Sequence, residues 1–409
     1  MPVSPKAPTP PTTDPHDAQV VIAGGGIGGA GAALVLGLRG IRVTLLEKAQ
    51  EYKEVGAGLQ FGPNITRMMQ KIGIWDRIEP LVVYPNRVEF HNAVSGDLIG
   101  RLDLVDMRQH YGSPYVVVHR NDLLQTLVQA AQELPTVTLL TAHGVTGFED
   151  IGDGVQVRTA TGETFRGQVL LGADGAHSVV RQALVGDDVQ NTGYVAYRGA
   201  IAWDDMPEKR VARDAVVCWA GPGLHLMQYP LRGGTLFNQV AVFRSPSFET
   251  GNPDWGNPEE LDAAFGPMCE IVRNCIPGLA RIKRWVMADR KPLDGWTRGR
   301  VAMLGDAAHA TLQYLAQGAG QSLLDGACLA RLLGGLGAAP WTSDDVARVW
   351  RQYEAERLAT ASRVQTWSRT WGEMWHVSSY ADTLLRDEAF RAHDPYDYSL
   401  MDWMYKPQD

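Results

Sequence analysis

The stretch AQVVIAGGGIGGAGAALVLGLRG, residues 18–40, decides the fold. Its first six residues are a mostly apolar, β-branched run that reads as a short strand. Gly24, Gly26 and Gly29 then spell G-x-G-x-x-G, and the Ala/Leu/Gly-rich residues up to Leu38 read as a helix that Gly40 terminates. A second strand, IRVTLLE, follows at 41–47 and ends on a carboxylate, Glu47. Strand, glycine loop, helix, strand and an acidic residue about 20 positions on are the parts of a dinucleotide-binding β–α–β unit. The first glycine permits the tight turn, the second lets a pyrophosphate reach the backbone, and the third lets helix and strand pack closely. The helix N-terminus offers N–H groups to phosphate charge, and Glu47 is expected to accept from ribose hydroxyls. Ile27, Gly28 and Lys48 join this cofactor-binding set. Taken alone, the fingerprint does not tell one dinucleotide from another.

Outward from this unit, residues 64–72 read as an amphipathic helix with Gly73 just past its end. Residues 119–134 read as a second helix, stopped by Pro135. Strands over 155–160 and 164–171 flank Thr161-Gly162, a hairpin-type turn. The Gly-rich segment 52–62 reads as irregular, 258–275 as helical, and 186–286 as strand-rich overall. This predicts an α/β protein whose Rossmann-like domain is discontinuous, over 18–80, 103–185 and 287–360. A mostly-β substrate domain, 81–102 and 186–286, is inserted into it. A C-terminal helical segment, 361–409, carries Trp367, Trp371, Trp375 and Trp403 and is hard to place. The Pro- and Thr-rich residues 1–17 read as a disordered leader.

Composition excludes several function classes. The net charge of −8 over 409 residues, with no basic stripe, argues against nucleic acid or an anionic membrane surface as partner. No run of about twenty apolar residues occurs, so nothing is expected to span a membrane. The four cysteines have no CxxC spacing, which predicts no metal site and free thiols of a reducing, cytoplasmic compartment.

Two later motifs narrow the cofactor. Gly172-Ala173-Asp174-Gly175 closes a strand, with Ser178 and Arg181 behind it. GRVAMLGDAAH, residues 299–309, is a strand ending in Gly305-Asp306 and passing into a helix. A carboxylate at a strand end can receive a ribityl hydroxyl, although Asp-Gly and Gly-Asp are also common turn pairs.

GxGxxG, the Asp-Gly motif and the Gly-Asp motif, in this order, resemble the signatures of the single-component FAD-dependent aromatic hydroxylases. His119-Arg120-Asn121-Asp122-Leu123 is similar to that family's HRxDL element. The resemblance covers residues 20 to about 357. It implies one tightly bound FAD and a transient NADH or NADPH. It also implies roles. Gly24, Gly26, Gly28, Gly29 and Glu47 would hold the ADP half, and Asp306 would contact the ribityl or pyrophosphate region. Arg120 and Leu124 would lie near the flavin, and Asp174 would serve both FAD and the passing nicotinamide. Residues 56–60, with Gly58 and Gln60, would line the isoalloxazine, and Gly318, Ala319 and Gly320 would face its N1/C2 edge. One departure stands out: Gln321-Ser322-Leu323-Leu324-Asp325-Gly326 has Leu324 and Gly326 where the family shows Glu and Ala around the Asp.

Three further stretches resemble the bacterial 3-hydroxybenzoate 6-hydroxylases: Tyr194-Val195-Ala196-Tyr197-Arg198-Gly199, residues 228–234 (QYPLRGG) and residues 312–319 (LQYLAQGA). They imply conversion of 3-hydroxybenzoate to gentisate with O2, through a flavin C4a-hydroperoxide. Salicylate, 6-hydroxynicotinate and other phenols stay open as alternatives, and a flavin oxidase or dehydrogenase is a more distant one. A phenol reacts best as phenolate, so a base near its hydroxyl helps. The resemblance assigns that role to His225, ring-hydroxyl orientation to Gln313, and a place in the same pocket, against the carboxylate, to Tyr229. A histidine on an apolar strand can equally be a satisfied core residue. Relatives of this kind are often dimers, which makes a homodimer an expectation here.

Overall fold

Parallel strand register brings together motifs that lie up to about 280 positions apart. In the computed structural model, which describes residues 16–53, 58–337 and 340–407, the strand Asp17–Ala23 pairs in parallel with Val43–Leu46 on one side and with Thr164–Gly172 on the other. Thr164–Gly172 pairs in parallel with Val301–Met303, and Val43–Leu46 with Val137–Leu140. Two antiparallel strands, Val145–Asp150 and Val155–Thr159, extend this first sheet. Its central strands are buried on both faces, as a parallel sheet between helices requires. The fingerprint helix Ile27–Gly37 and the helix Gly318–Gly334 pack on it.

The second sheet has seven strands in the order 285–289, 190–202, 236–244, 224–231, 215–221, 87–92, 98–103. All its pairings are antiparallel except Ala215–Gly221 with Arg87–Asn92. Alternation gives the sheet two different faces. One carries Val195, Leu224, Leu226 and Phe243 and is covered by the helices Pro258–Phe265 and Glu270–Cys275. The other carries Val88, Val216, His225, Met227, Tyr229 and Val240, and these line a cavity instead.

Several elements differ from the expectation. Residues 58–61 are not irregular: they pair antiparallel with Val116–His119, a partner too distant to announce itself locally. The helix expected over 258–275 is two helices, broken between Phe265 and Glu270. Trp285–Asp289 joins the second sheet, so the crossing back to the first falls after residue 289 rather than at 287. The division drawn at 360 lies inside one helix, Ser343–Trp375, started by a capping box between Thr342 and Asp345. Asp17 already belongs to a strand, while residues 1–15 of the expected leader lie outside the described residues. Among the described residues no helix is long and apolar enough to cross a membrane.

Candidate functional site

The C-terminal edge of the first sheet is where the glycine loop and the two aspartate motifs meet. Ala23 lies opposite Gly172 and Leu46, and Gly172 lies opposite Met303. The backbone therefore leaves Gly24, Glu47, Asp174 and Gly305 side by side, at the edge where open α/β sheets bind ligands. They open on a cavity of about 960 Å³. Two helices begin at this cavity, Ile27–Gly37 and Gly318–Gly334, and no side chain caps either one. Their N-terminal N–H groups are left for an external partner, which the helix dipole favours to be negative.

The fingerprint residues behave as their spacing implies. Gly24 takes φ +99° and a Cβ there would press on Ala173 O at 2.5 Å. A Cβ on Gly29 would fall 1.9 Å from Gly24 O, so this glycine is a packing requirement rather than a cavity wall. Glu47 braces the loop: Gly25 N donates to Oε2 at 2.6 Å and Ala49 N to Oε1 at 2.8 Å. Each oxygen keeps a second lone pair for a ribose hydroxyl. Asp306 is exposed on the cavity at the start of its helix, amid buried neighbours. Asp174 caps the helix Val179–Leu184, accepting from Ser178 Oγ at 2.5 Å, Val179 N at 2.7 Å and Val180 N at 3.3 Å. Burial pushes its carboxyl up and these donors pull it down. It caps its turn and still borders the cavity.

A buried polar network supports this edge from behind, and the sequence did not reveal it. Asp325, fully buried, accepts from Gly305 N at 3.0 Å and from His309 Nε2 at 2.6 Å with one oxygen. Arg357 Nε donates to the other at 2.8 Å. Burial raises the carboxyl pKa, but His309 and Arg357 hold it down at about 2. Arg357 continues to Gln321, Gln321 to Gln317, and Asn64 to Gln317. Asp325 thus ties the Gly-Asp motif to the helix that carries Gly318. The departure at 326 has a packing reason: a Cβ there would meet Ala32 of the fingerprint helix at 3.0 Å.

The opposite wall is the open face of the second sheet. His225 and Tyr229 stand on one strand, Leu224–Leu231, four residues apart and on the same face. That spacing is about 13 Å along the strand, so they frame two ends of a site rather than one atom. Tyr229 lies with Gly58 and Gln60; a Cβ on Gly58 would meet its ring at 2.3 Å. Gln60 Oε1 also accepts from Tyr115 Oη at 2.5 Å. Burial pushes the Tyr229 phenol up, so it stays a neutral donor, and Arg198 and Arg120 oppose this only in part. Gln313 Oε1 accepts from Arg198 at 3.2 Å. His225 is 1% exposed, and burial drives its pKa well below the ordinary 6.5, reinforced by His376.

Of the residues singled out from sequence, Gly24, Gly26, Ile27, Gly28, Glu47, Lys48, Gly58, Gln60, Arg120, Leu124, Asp174, Asp306, Gly318, Ala319, His225, Tyr229 and Gln313 all border this one cavity. Gly29 and Gly320 do not; Gly320 is needed where a Cβ would strike Ile65 at 2.6 Å. Gly56 lies outside the described residues. His309 packs rather than faces the cavity. Arg198, His376 and the roof of Trp367, Trp371, Trp375 and Trp403 were missed as site residues, although the tryptophans are conspicuous in the tail. The residues present fit FAD: two uncapped helix N-termini, a glycine cradle too tight for side chains, and carboxylates at Glu47 and Asp306 for sugar hydroxyls.

Known proteins resemble this chain over most of its length. The family model described as an FAD binding domain matches residues 17–368. The chain is 38% identical to a 3-hydroxybenzoate 6-hydroxylase of Polaromonas naphthalenivorans, covering 96% of each. It is 34% identical to a 3-hydroxybenzoate 6-hydroxylase of Klebsiella oxytoca, covering 95% of this chain and 96% of that one. The crystal structure of a Klebsiella pneumoniae HpxO variant complexed with FAD shares the fold, with a TM-score of 0.82 at 24% identity, over 96% of this chain and 100% of that one.

Proposed function

On the premise that the chain belongs to the single-component FAD-dependent aromatic hydroxylases, we propose that it converts 3-hydroxybenzoate to gentisate with NAD(P)H and O2. One oxygen atom enters the ring, the other leaves as water, and NAD(P)H supplies the two electrons. Bound FAD supplies the reductive activation of O2. The glycine loop, Glu47, Asp306 and the N-terminus at Gly318 would hold it, and Arg120 and Asp174 would stand at its edge.

The chain's own residues handle the substrate. His225, neutral at pH 7, takes the phenol proton on Nε2, the ring nitrogen that is not bonded to His376; proton transfer of this kind is worth about a hundred- to ten-thousand-fold. Gln313, its carbonyl held by Arg198, keeps its amide NH2 for the substrate oxygen. Tyr229 donates to the carboxylate at the other end, and the nearby guanidinium groups of Arg198 and Arg120 favour that charge. The observation that carries this reading is His225: a buried, neutral imidazole on the wall of a cavity whose opposite wall fits FAD.

The test is the variant His225→Ala, assayed with a panel of 3-hydroxybenzoate, salicylate and 6-hydroxynicotinate. FAD should stay bound while hydroxylation falls by about a hundredfold or more, and NMR of the product should identify gentisate for the parent enzyme. Unchanged turnover would remove His225 from the mechanism. NADH consumption indifferent to every aromatic would point to an oxidase or dehydrogenase instead. The same reading makes the working unit a cytoplasmic homodimer. The four free thiols support the compartment, and exposed Tyr380, Leu384 and Leu385 on one helix support a dimer contact; sedimentation checks the latter.

A further inference from the structure

His225 is not alone on its strand. His376, 151 positions later, brings Nε2 to within 2.7 Å of His225 Nδ1. It is the residue that follows the last turn of the long helix Ser343–Trp375. Three contacts fix it. Gly223 N donates to its carbonyl at 3.1 Å, from the hairpin turn that immediately precedes the His225 strand. Its ring stacks on Tyr194 at 4.7 Å. Arg386 Nη1 donates to Trp375 O at 2.9 Å and holds the helix end. Trp375 packs edge-on against His225 at 5.2 Å. His376 does not border the cavity, whereas His225 does.

We propose that His376 is a positioning residue that fixes which nitrogen of His225 carries the proton at rest, leaving Nε2 bare toward the substrate. This rests on the reading of His225 as the base for a phenol. Two imidazoles joined Nδ1 to Nε2 share a single proton on that axis. When the proton belongs to His225 Nδ1, the Nε2 lone pair is free for the cavity. When the phenol O–H breaks and His225 Nε2–H forms, the shared proton shifts toward His376 Nε2. The positive charge then spreads over both rings, and the reverse shift returns it after turnover.

The groups that face His376 set how readily it accepts that shift. They are Tyr194 from the sheet, Tyr314 from the 313–315 turn and Arg386 from the helix Tyr380–Ala392; the charge of Glu373, in the last turn of the long helix, acts on Tyr194. Among the described residues no carboxylate is hydrogen-bonded to either ring. Burial, and then Arg386, push His376 down to about 3. A neutral orienting partner lets the pair rest uncharged inside the protein, where a carboxylate would bring a buried charge.

The experiment compares His376→Leu and His376→Gln as FAD-loaded enzymes. The leucine variant should keep FAD, with a KM close to the parent's. Its kcat should fall about 10- to 100-fold, the size of loss seen when a partner that orients a metal-ligating histidine is removed. Its acid limb in the pH profile of kcat/KM should move. Glutamine, whose side-chain oxygen can accept from Nδ1–H, should recover most of the rate. In 15N-histidine-labelled protein, the downfield proton shared by the two rings should be present in the parent and absent in the leucine variant. Parent-like kcat and an unshifted profile in His376→Leu would overturn the proposal, as would equal losses in both variants with no change in profile. A parent enzyme that hydroxylates no phenolic acid would instead defeat the reading of His225, while the shared proton would still report on the pair.

Discussion

The two walls of the cavity are built from different parts of the chain's chemistry. The cofactor wall is largely backbone: glycine positions, N–H groups at two helix starts, and carboxylates at strand ends. The substrate wall is almost entirely side chain: His225 and Tyr229 from one strand, Arg198 from a second and Gln313 from a turn, with four tryptophans lining the same cavity. At Gly24 and Gly29 the backbone cradle has no room for an added atom. A side-chain wall can lose one group, keep its shape, and change only its chemistry.

That contrast can be broken most sharply at Gly29. Gly29→Val places atoms where even a Cβ would be 1.9 Å from Gly24 O, so the loop cannot close on the helix. The purified chain should lose most of the parent's flavin absorbance per molecule. A yellow, stable Gly29→Val would show that the cradle yields.

The second break is behind the cofactor wall. Asp325→Ala leaves Arg357 buried without its partner and removes the acceptor for Gly305 N. Breaking a buried pair costs about 3–5 kcal/mol. Denaturant unfolding should show a loss of that size, with weaker FAD retention. A change below about 1 kcal/mol, the size of an exposed pair, would mean that the network is not what holds the Gly-Asp motif.

The smallest effect concerns the substrate wall and is read in pH. His225 and His376 both have folded-state pKa values below the ordinary 6.5, so the native chain keeps them neutral while the unfolded chain protonates them. The unfolded state then binds more protons, and stability rises with pH through the window below 6.5. Each histidine contributes a slope of about 1.4 kcal/mol per pH unit there. Between about pH 5 and the unfolded histidine pKa of about 6.5, His376→Leu should lose roughly half of that combined slope. A slope identical to the parent's would mean that His376 is not held neutral.

The first wall was largely legible in the sequence because its requirements are local. A strand, a tight turn and a helix start follow one another within residues 18–40, and Asp174 and Asp306 each sit in a short strand-end motif. Even there, legibility stopped where partners are distant. The strand at 58–61 exists because Val116–His119 lies beside it, whereas the break between 265 and 270 falls at Gly266-Pro267, a helix-breaking pair the chain does carry. The second wall was legible only through resemblance. His225, Tyr229 and Gln313 were named that way, whereas composition and periodicity would have left His225 as a core histidine.

By itself, then, the sequence determined a dinucleotide edge, since glycine geometry and helix N-termini act over neighbouring residues and leave a spacing that can be read. Only the tertiary structure decided what stands behind that edge and across from it. Asp325 reaches Gly305 and Arg357, and His376 meets His225 from 151 positions away. A hydrogen bond between side chains depends on where the folded backbone puts them, and no pattern along the chain encodes that distance.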